Sequence, residues 1–166
     1  MENFRIVVDT NIVVDAFKEY DDLELRERCG KVIKSFVDKS NLMIAFDRPK
    51  SFDEHGFIVY EYMKNLGSVR DFQIFYGRLF WRDKVTYVEP ADITEIAEKL
   101  DEIDFHESED RKFLATALAA DKIIVTEDSD YGIPDDPEYS KRYKFFTEEQ
   151  GMEIDNSERF IDKYCL

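Results

Sequence analysis

Three observations in the sequence predict an α/β domain built around a parallel central sheet. Short apolar runs of strand length alternate with longer stretches of helical spacing. The helical stretches are long enough to act as crossovers between parallel strands. The 166 residues, 43% apolar and 14% aromatic, are enough for one core. Residues 1–166 are therefore read as a single domain.

Phe4-Arg5-Ile6-Val7-Val8 reads as a buried strand ending at Asp9, with Asn11 placed to cap the helix that follows. Leu23, Leu25, Cys29, Val32, Ile33, Phe36 and Val37 recur near helical spacing and predict a long helix over 22–40. Leu42-Met43-Ile44-Ala45-Phe46 is a second strand, with Pro49 marking the loop after it. A helix over about 52–66 is closed by Gly67, and another spans 69–81. Lys84-Val85-Thr86-Tyr87-Val88 is a third strand, and Pro90 begins a helix to about residue 103. Ser108 is placed to cap a helix through Ala120, and 122–126 is a fourth strand. Met152-Glu153-Ile154 is a short fifth, before a last helix to Tyr164 capped by Asn156 or Ser157. The stretch between, with Pro134 and Pro137, gives no pattern.

Composition removes several classes of function. No segment approaches the ~18 consecutive apolar residues of a membrane span. After Arg5 only Ile6-Val7-Val8 precede Asp9, which is no signal-peptide core, so a soluble cytoplasmic protein is expected. Two cysteines, Cys29 and Cys165, and two histidines, His55 and His106, lack zinc-ligand spacing and cannot make a disulfide framework. Any metal would be held by oxygen. The net charge of -15 opposes nucleic-acid binding by bulk electrostatics, unless acids are spent on divalent cations and basic residues are locally grouped.

Four acids stand out. Asp9 interrupts an apolar run, in Val8-Asp9-Thr10-Asn11, though Asp9 and Asn11 would equally suit a helix start. Glu61 is the one charge in Phe57-Ile58-Val59-Tyr60-Glu61-Tyr62-Met63 and needs either solvent or a partner. Asp110 shares the edge of the buried face with Leu114 and Ala117, in the first turn where the helix dipole also favours an acid. Asp128 follows a strand in Thr126-Glu127-Asp128-Ser129-Asp130, a run that also suits a turn. Two of the four leave strand ends and two lie on crossover helices. A parallel sheet gathers such positions in the crevice beyond its carboxyl edge. Grouped carboxylates repel and take up protons unless a cation compensates, and oxygen-only ligands suit Mg²⁺ or Mn²⁺. The chemistry that follows is phosphoester hydrolysis.

In order and over nearly the whole chain, these motifs resemble the PIN-domain family. Val8-Asp9-Thr10-Asn11 is similar to its strand followed by D-T-N. Tyr60-Glu61-Tyr62 is similar to its second acid, Asp110-Arg111-Lys112-Phe113-Leu114-Ala115-Thr116-Ala117 to the helix bearing its third, and Thr126-Glu127-Asp128-Ser129-Asp130 to its T-x-D-x-D turn. The resemblance implies a PIN-like three-layer domain with a parallel sheet flanked by helices. It implies Mg²⁺- or Mn²⁺-dependent hydrolysis of RNA, with Asp9, Glu61, Asp110 and Asp128 catalytic and metal-holding and Asp130 a further ligand. Asn11 and Thr126 would orient those ligands. The implied settings are the toxin of a toxin–antitoxin pair, with an antitoxin partner and a homodimer, or an RNA-processing nuclease. Long stretches around 72–83 and 132–150 depart from compact members.

Arg48, Lys50, Arg78, Arg82 and Arg111 are the RNA-contact candidates, since basic groups near Tyr76, Phe80 and Trp81 suit backbone contact and base stacking. Two rivals stand beside the nuclease reading. A haloacid-dehalogenase-type phosphatase needs a second Asp where Asn11 stands. A non-catalytic PIN-like module binding RNA or protein would keep the fold without the chemistry.

Overall fold

The computed structural model describes residues 2–18, 22–51, 54–132 and 139–166. Its centre is a five-stranded sheet in the order β3-β2-β1-β4-β5, parallel throughout. The strands are β1 (Phe4–Val8), β2 (Leu42–Asp47), β3 (Val85–Val88), β4 (Ile123–Val125) and β5 (Glu153–Asp155). Ile6, Val7, Val8, Ile44, Ala45, Phe46, Ile124 and Val125 are buried on successive positions, so both faces of the central strands are covered. That is why they read as unbroken apolar runs and not as alternating ones.

The helices are α1 (Thr10–Phe17), α2 (Leu23–Asp38), α3 (Phe57–Leu66), α4 (Arg70–Trp81), α5 (Ala97–Glu102), α6 (Ser108–Ala119), α7 (Ser140–Lys144) and α8 (Ser157–Tyr164). The chain steps from β1 to β2 to β3 toward one edge, then crosses back to β4 and β5. Right-handed crossovers put helices before and after that reversal on opposite faces, giving three layers. Accordingly α1, α4 and α8 gather around α2, with α3 against α1, while α6 lies against β1 and β2. The reversal places the topological switch point between β1 and β4.

Several boundaries differ from expectation, each for a local reason. Asp9, not Asn11, caps α1: its side chain accepts from the Thr10 amide at 2.7 Å, and Asn11 lies inside the helix. Pro90 does not start a helix. The chain there is pinned to the other layer by Ala91 N–H donating to the Ala115 carbonyl (2.9 Å). Helical structure begins only after Asp92 turns back on Thr94, as a 3₁₀ turn over Thr94–Ile96 that leads into α5. The position before α6 is Glu107, so Ser108 is already helical. At α8 the choice falls on Asn156, which accepts from the Arg159 amide at 2.9 Å. α3 starts at Phe57, and residues 52 and 53, where the expected helix would begin, lie outside the described residues. Pro134 and Pro137 also lie outside them. Beyond them the chain forms α7 and a π-helical turn over Phe145–Glu149, neither of which the sequence announces.

Candidate active site

β1 and β4 are neighbours, and the Asp9 amide donates to the Val125 carbonyl (3.0 Å) just past their ends. The side chains there form one network. Asp9 Oδ2 accepts from the Thr126 hydroxyl (2.7 Å) and from Asn11 Nδ2 (3.2 Å). Asn11 Nδ2 also donates to Thr126 Oγ1 (3.3 Å), and Asn11 Oδ1 accepts from the Glu127 amide (3.2 Å). Thr126 Oγ1 accepts from the Asp128 amide (2.9 Å), and Asp128 Oδ1 in turn accepts from the Asp130 amide (2.9 Å). Asn11 and Thr126 thus join the start of α1 to the turn after β4, and that turn sets the direction of Asp128. From the other side, the buried Tyr62 hydroxyl of α3 donates to the Val8 carbonyl.

Asp110 enters from the first turn of α6, where the buried Tyr131 ring reaches back and its hydroxyl donates to the Asp110 carbonyl (3.2 Å). One carboxylate oxygen each of Asp110, Asp128 and Asp130 lies within 4.8 Å of the others. Asp9 is not within that radius, but its charge bears on Asp110, as does that of Asp128. Glu61 is not part of the converging group either. It sits on α3 with a largely covered side chain, 3.9 Å from Lys64. Of the expected set, Asp110 and Asp128 converge with Asp130, the expected additional ligand, while Asp9 and Glu61 lie outside that group.

Burial and mutual repulsion push Asp9, Asp110 and Asp128 up. Burial raises Asp9 to about 6, with Asp128's charge adding to it and hydrogen bonds from Thr126, Thr10 and Asn11 opposing it. Asp110 rises to about 7 through burial and the charges of Asp128, Asp9, Asp130 and Glu107. Asp128 is raised chiefly by burial. The cation in contact with the group among the described residues is Arg142, which the sequence reading missed. Its Nη1 donates to Asp130 Oδ1 (3.0 Å), while Nε and Nη2 are taken by the carbonyls of Ile103 (2.8 Å) and Asp104 (3.1 Å). It compensates one acid of the group.

An oxygen-seeking divalent cation fits this set. Three carboxylates from two separate segments converge, and the Asp110 carboxylate accepts no hydrogen bond among the described residues. Among those residues, the one buried side-chain oxygen without a partner is Thr10 Oγ1, adjacent to Asp9.

The basic candidates do not form one surface. Arg48, Lys50 and Arg111 line a cleft between the ends of β2 and β3 and the starts of α3 and α6. Arg78 lines a separate groove between α2 and α4, and Arg82 donates to the Val37 carbonyl (3.3 Å). Arg111 is already engaged by Asp101 (2.6 Å) and the Phe105 carbonyl (2.8 Å). No helix among the described residues is long and apolar enough to cross a membrane. No protein-family model matches the chain, and no curated protein matches it closely enough to count as a relative, so the functional reading rests on this geometry and on the motifs that resemble the PIN family.

Proposed function

We propose that the chain is a Mg²⁺- or Mn²⁺-dependent endoribonuclease acting at the carboxyl edge of β1 and β4. The observation that carries this reading is the convergence of Asp110, Asp128 and Asp130 within 4.8 Å, beside a buried Asp9, with Arg142 as the nearby internal cation. Asp110, Asp128 and Asp130 would hold the ion, with Asp9 beside them and Glu61 the candidate from α3. When bound, such an ion neutralises charge on a phosphodiester and acidifies a water molecule. The chain's own groups do the positioning. Asn11 and Thr126 fix Asp9 and the Asp128 turn through the hydrogen bonds described, a supporting role that elsewhere alters metal affinity or activity ~10–100-fold when removed. Asp110, held near 7, keeps a proton on its carboxyl for part of the time at neutral pH and gives it up as a cation approaches.

The test is cleavage of single-stranded and hairpin RNA with EDTA, Mg²⁺ or Mn²⁺. Wild type is expected to cut only with a divalent ion. Asp128→Asn is expected to lose at least ~100-fold while keeping its circular dichroism and melting curve, since a direct ligand should matter more than its supports. Undiminished cleavage by folded Asp128→Asn would remove the assignment. Binding of RNA or protein without any cleavage in Mn²⁺ would favour the non-catalytic module.

A further inference from the structure

The cleft at the ends of β2 and β3 is the roomiest of those described, about 670 Å³. Its walls come from the elements that build the acid site. α6 supplies Asp110 to the carboxylates and, one and two residues on, Arg111 and Lys112 to the cleft. α3 supplies Tyr60, next to Glu61, with 55% of its surface exposed. In a chain of net charge -15, four cations line this one place: Arg48, Lys50, Arg111 and Lys112.

Three acids line it too, but most of their charge is spent. The Asp47 carboxylate accepts from the Phe57 (2.6 Å) and Ile58 (2.9 Å) amides, holding the start of α3. Glu89 faces Arg48 at 3.5 Å. Arg111 is likewise committed, to Asp101. Lys50 and Lys112 then stand against Glu54, with Lys112 over the Phe57 ring at 4.2 Å. A Cβ at Gly56 would fall 2.2 Å from the Asp47 carbonyl oxygen, so that position is closed to any larger residue.

Building on the ribonuclease reading, we infer that this cleft binds single-stranded nucleic acid leading to the carboxylates, with phosphates on Lys50 and Lys112 and a base stacked on Tyr60. An exposed aromatic ring and the Lys50 and Lys112 ammonium groups in one cleft match the two repeating chemistries of a single strand, a π-face and an anion. An acidic peptide would use the ammonium groups and leave the ring idle. A duplex has no free base to offer Tyr60.

Binding is measured by fluorescence anisotropy with a labelled oligouridylate in Ca²⁺, with strand integrity checked on gels. Tyr60→Ala and Lys50→Ala/Lys112→Ala should each weaken binding ~5–20-fold, in line with one stacked base or two phosphate contacts. Lys31→Ala/Lys34→Ala, an equal loss of charge on α2, should leave it unchanged. The salt dependence of log affinity should have a slope of about -1 to -2, that of two or so phosphate contacts on a single strand. Wild-type affinity in both Tyr60→Ala and Lys50→Ala/Lys112→Ala would overturn the assignment, as would an oligoglutamate of equal charge binding as tightly as the RNA. Hydrolysis of bis(p-nitrophenyl) phosphate in Mn²⁺, which needs no strand, judges the metal site separately. A cleft that fails beside an active metal site, or binds beside an inactive one, thereby tells the two readings apart.

Discussion

Two groups of acids, each with one buried member, lie at the carboxyl edge of the same sheet, and the molecule treats them differently. At β5, Asp155 is 1% exposed, yet Lys163 of α8 reaches both its oxygens, at 2.7 and 2.9 Å, and Glu153 at 3.1 Å. Tyr164 adds a hydroxyl to Glu153 at 2.7 Å. At β1 and β4, Asp9, Asp110, Asp128 and Asp130 share Arg142, which reaches only Asp130. The first group carries its cation in the chain, and it locks α8 onto the sheet. The second is short of positive charge, and Asp110 in particular meets repulsion and no donor among the described residues. A folded chain gains nothing from such an arrangement unless something else supplies the charge. That contrast, more than the number of acids, is what the proposal of a cation site at β1 and β4 rests on.

The strongest way to break the comparison is at β5. Lys163→Met should destabilise the protein by ~2 kcal/mol near pH 8, less than the ~3–5 kcal/mol of a fully buried pair because Lys163 is about half exposed. In a chain this long that lowers the melting temperature by ~4–8 °C. The loss should shrink toward pH 5. Asp155, pushed to about 6 by burial with Glu153 beside it, takes up a proton there and no longer needs the lysine. An equal loss at both pH values would mean that Lys163 contributes packing alone.

The acid site should answer with the opposite sign. With EDTA near pH 8, Asp110→Asn should raise the melting temperature by ~1–3 °C, since it removes a repelled charge and breaks no hydrogen bond among the described residues; the figure is kept small because the site is partly open to water. Asp9→Asn should gain less than Asp110→Asn. The new amide turns a donor toward Thr126 and Asn11, both of which now donate to that oxygen, and the lost bonds cost ~1–3 kcal/mol against the relief of charge. Excess Mg²⁺ should stabilise wild type and not Asp110→Asn, by mass action on the folded state. Destabilisation by Asp110→Asn in EDTA would show that this carboxylate has an internal partner after all.

The same contrast explains what could be read from the sequence. The strands were plain because both faces of β1, β2 and β4 are covered and each holds an unbroken apolar run, over 6–8, 42–46 and 123–125. Asp9 and Asp128 were legible because each follows such a run, and the parallel topology then fixes where strand ends meet. Caps were less so: Asp9 and Asn11 are both good helix starters, and only the backbone tells which one is outside the helix. Pro90 carries the composition of a helix start, but a long-range bond from Ala91 to Ala115 holds that segment straight. That Asp130 joins Asp110 and Asp128 while Glu61 stays outside their group depends on how α3 and the turn after Asp128 are aimed, which spacing does not encode. Arg142 left no signal at all. It lies in a stretch without periodicity and is held by the carbonyls of Ile103 and Asp104, groups that every residue has. Arg78 and Arg82 looked like part of a stacking surface beside Trp81. That ring is 90% exposed, but on α4, across the molecule's other face from the α6 cleft.

The finest measure of the comparison is the pH dependence of stability without metal. Asp9 and Asp110 titrate in the folded protein at about 6 and about 7, above the ordinary carboxylate value of 3.8, so between those limits the folded state binds more protons than the unfolded one. Stability must then fall as pH rises through that window, since its slope follows the protons bound by the unfolded chain less those bound by the folded chain. In EDTA the urea midpoint should decline from pH 5 to pH 8. Asp155 contributes a share of the same sign, so the diagnostic quantity is the change on mutation. Asp110→Asn should flatten the upper part of the decline, between pH 6 and pH 8, and leave the lower part, and Mg²⁺ should flatten it in wild type by holding the ionised form. Lys163→Met should do the reverse and steepen the decline, because it strips Asp155 of its counter-charge. Parallel curves for wild type and Asp110→Asn would mean that Asp110 ionises in the folded protein as it does in the unfolded chain, and the acid site would then be no more in need of a cation than the pair at β5.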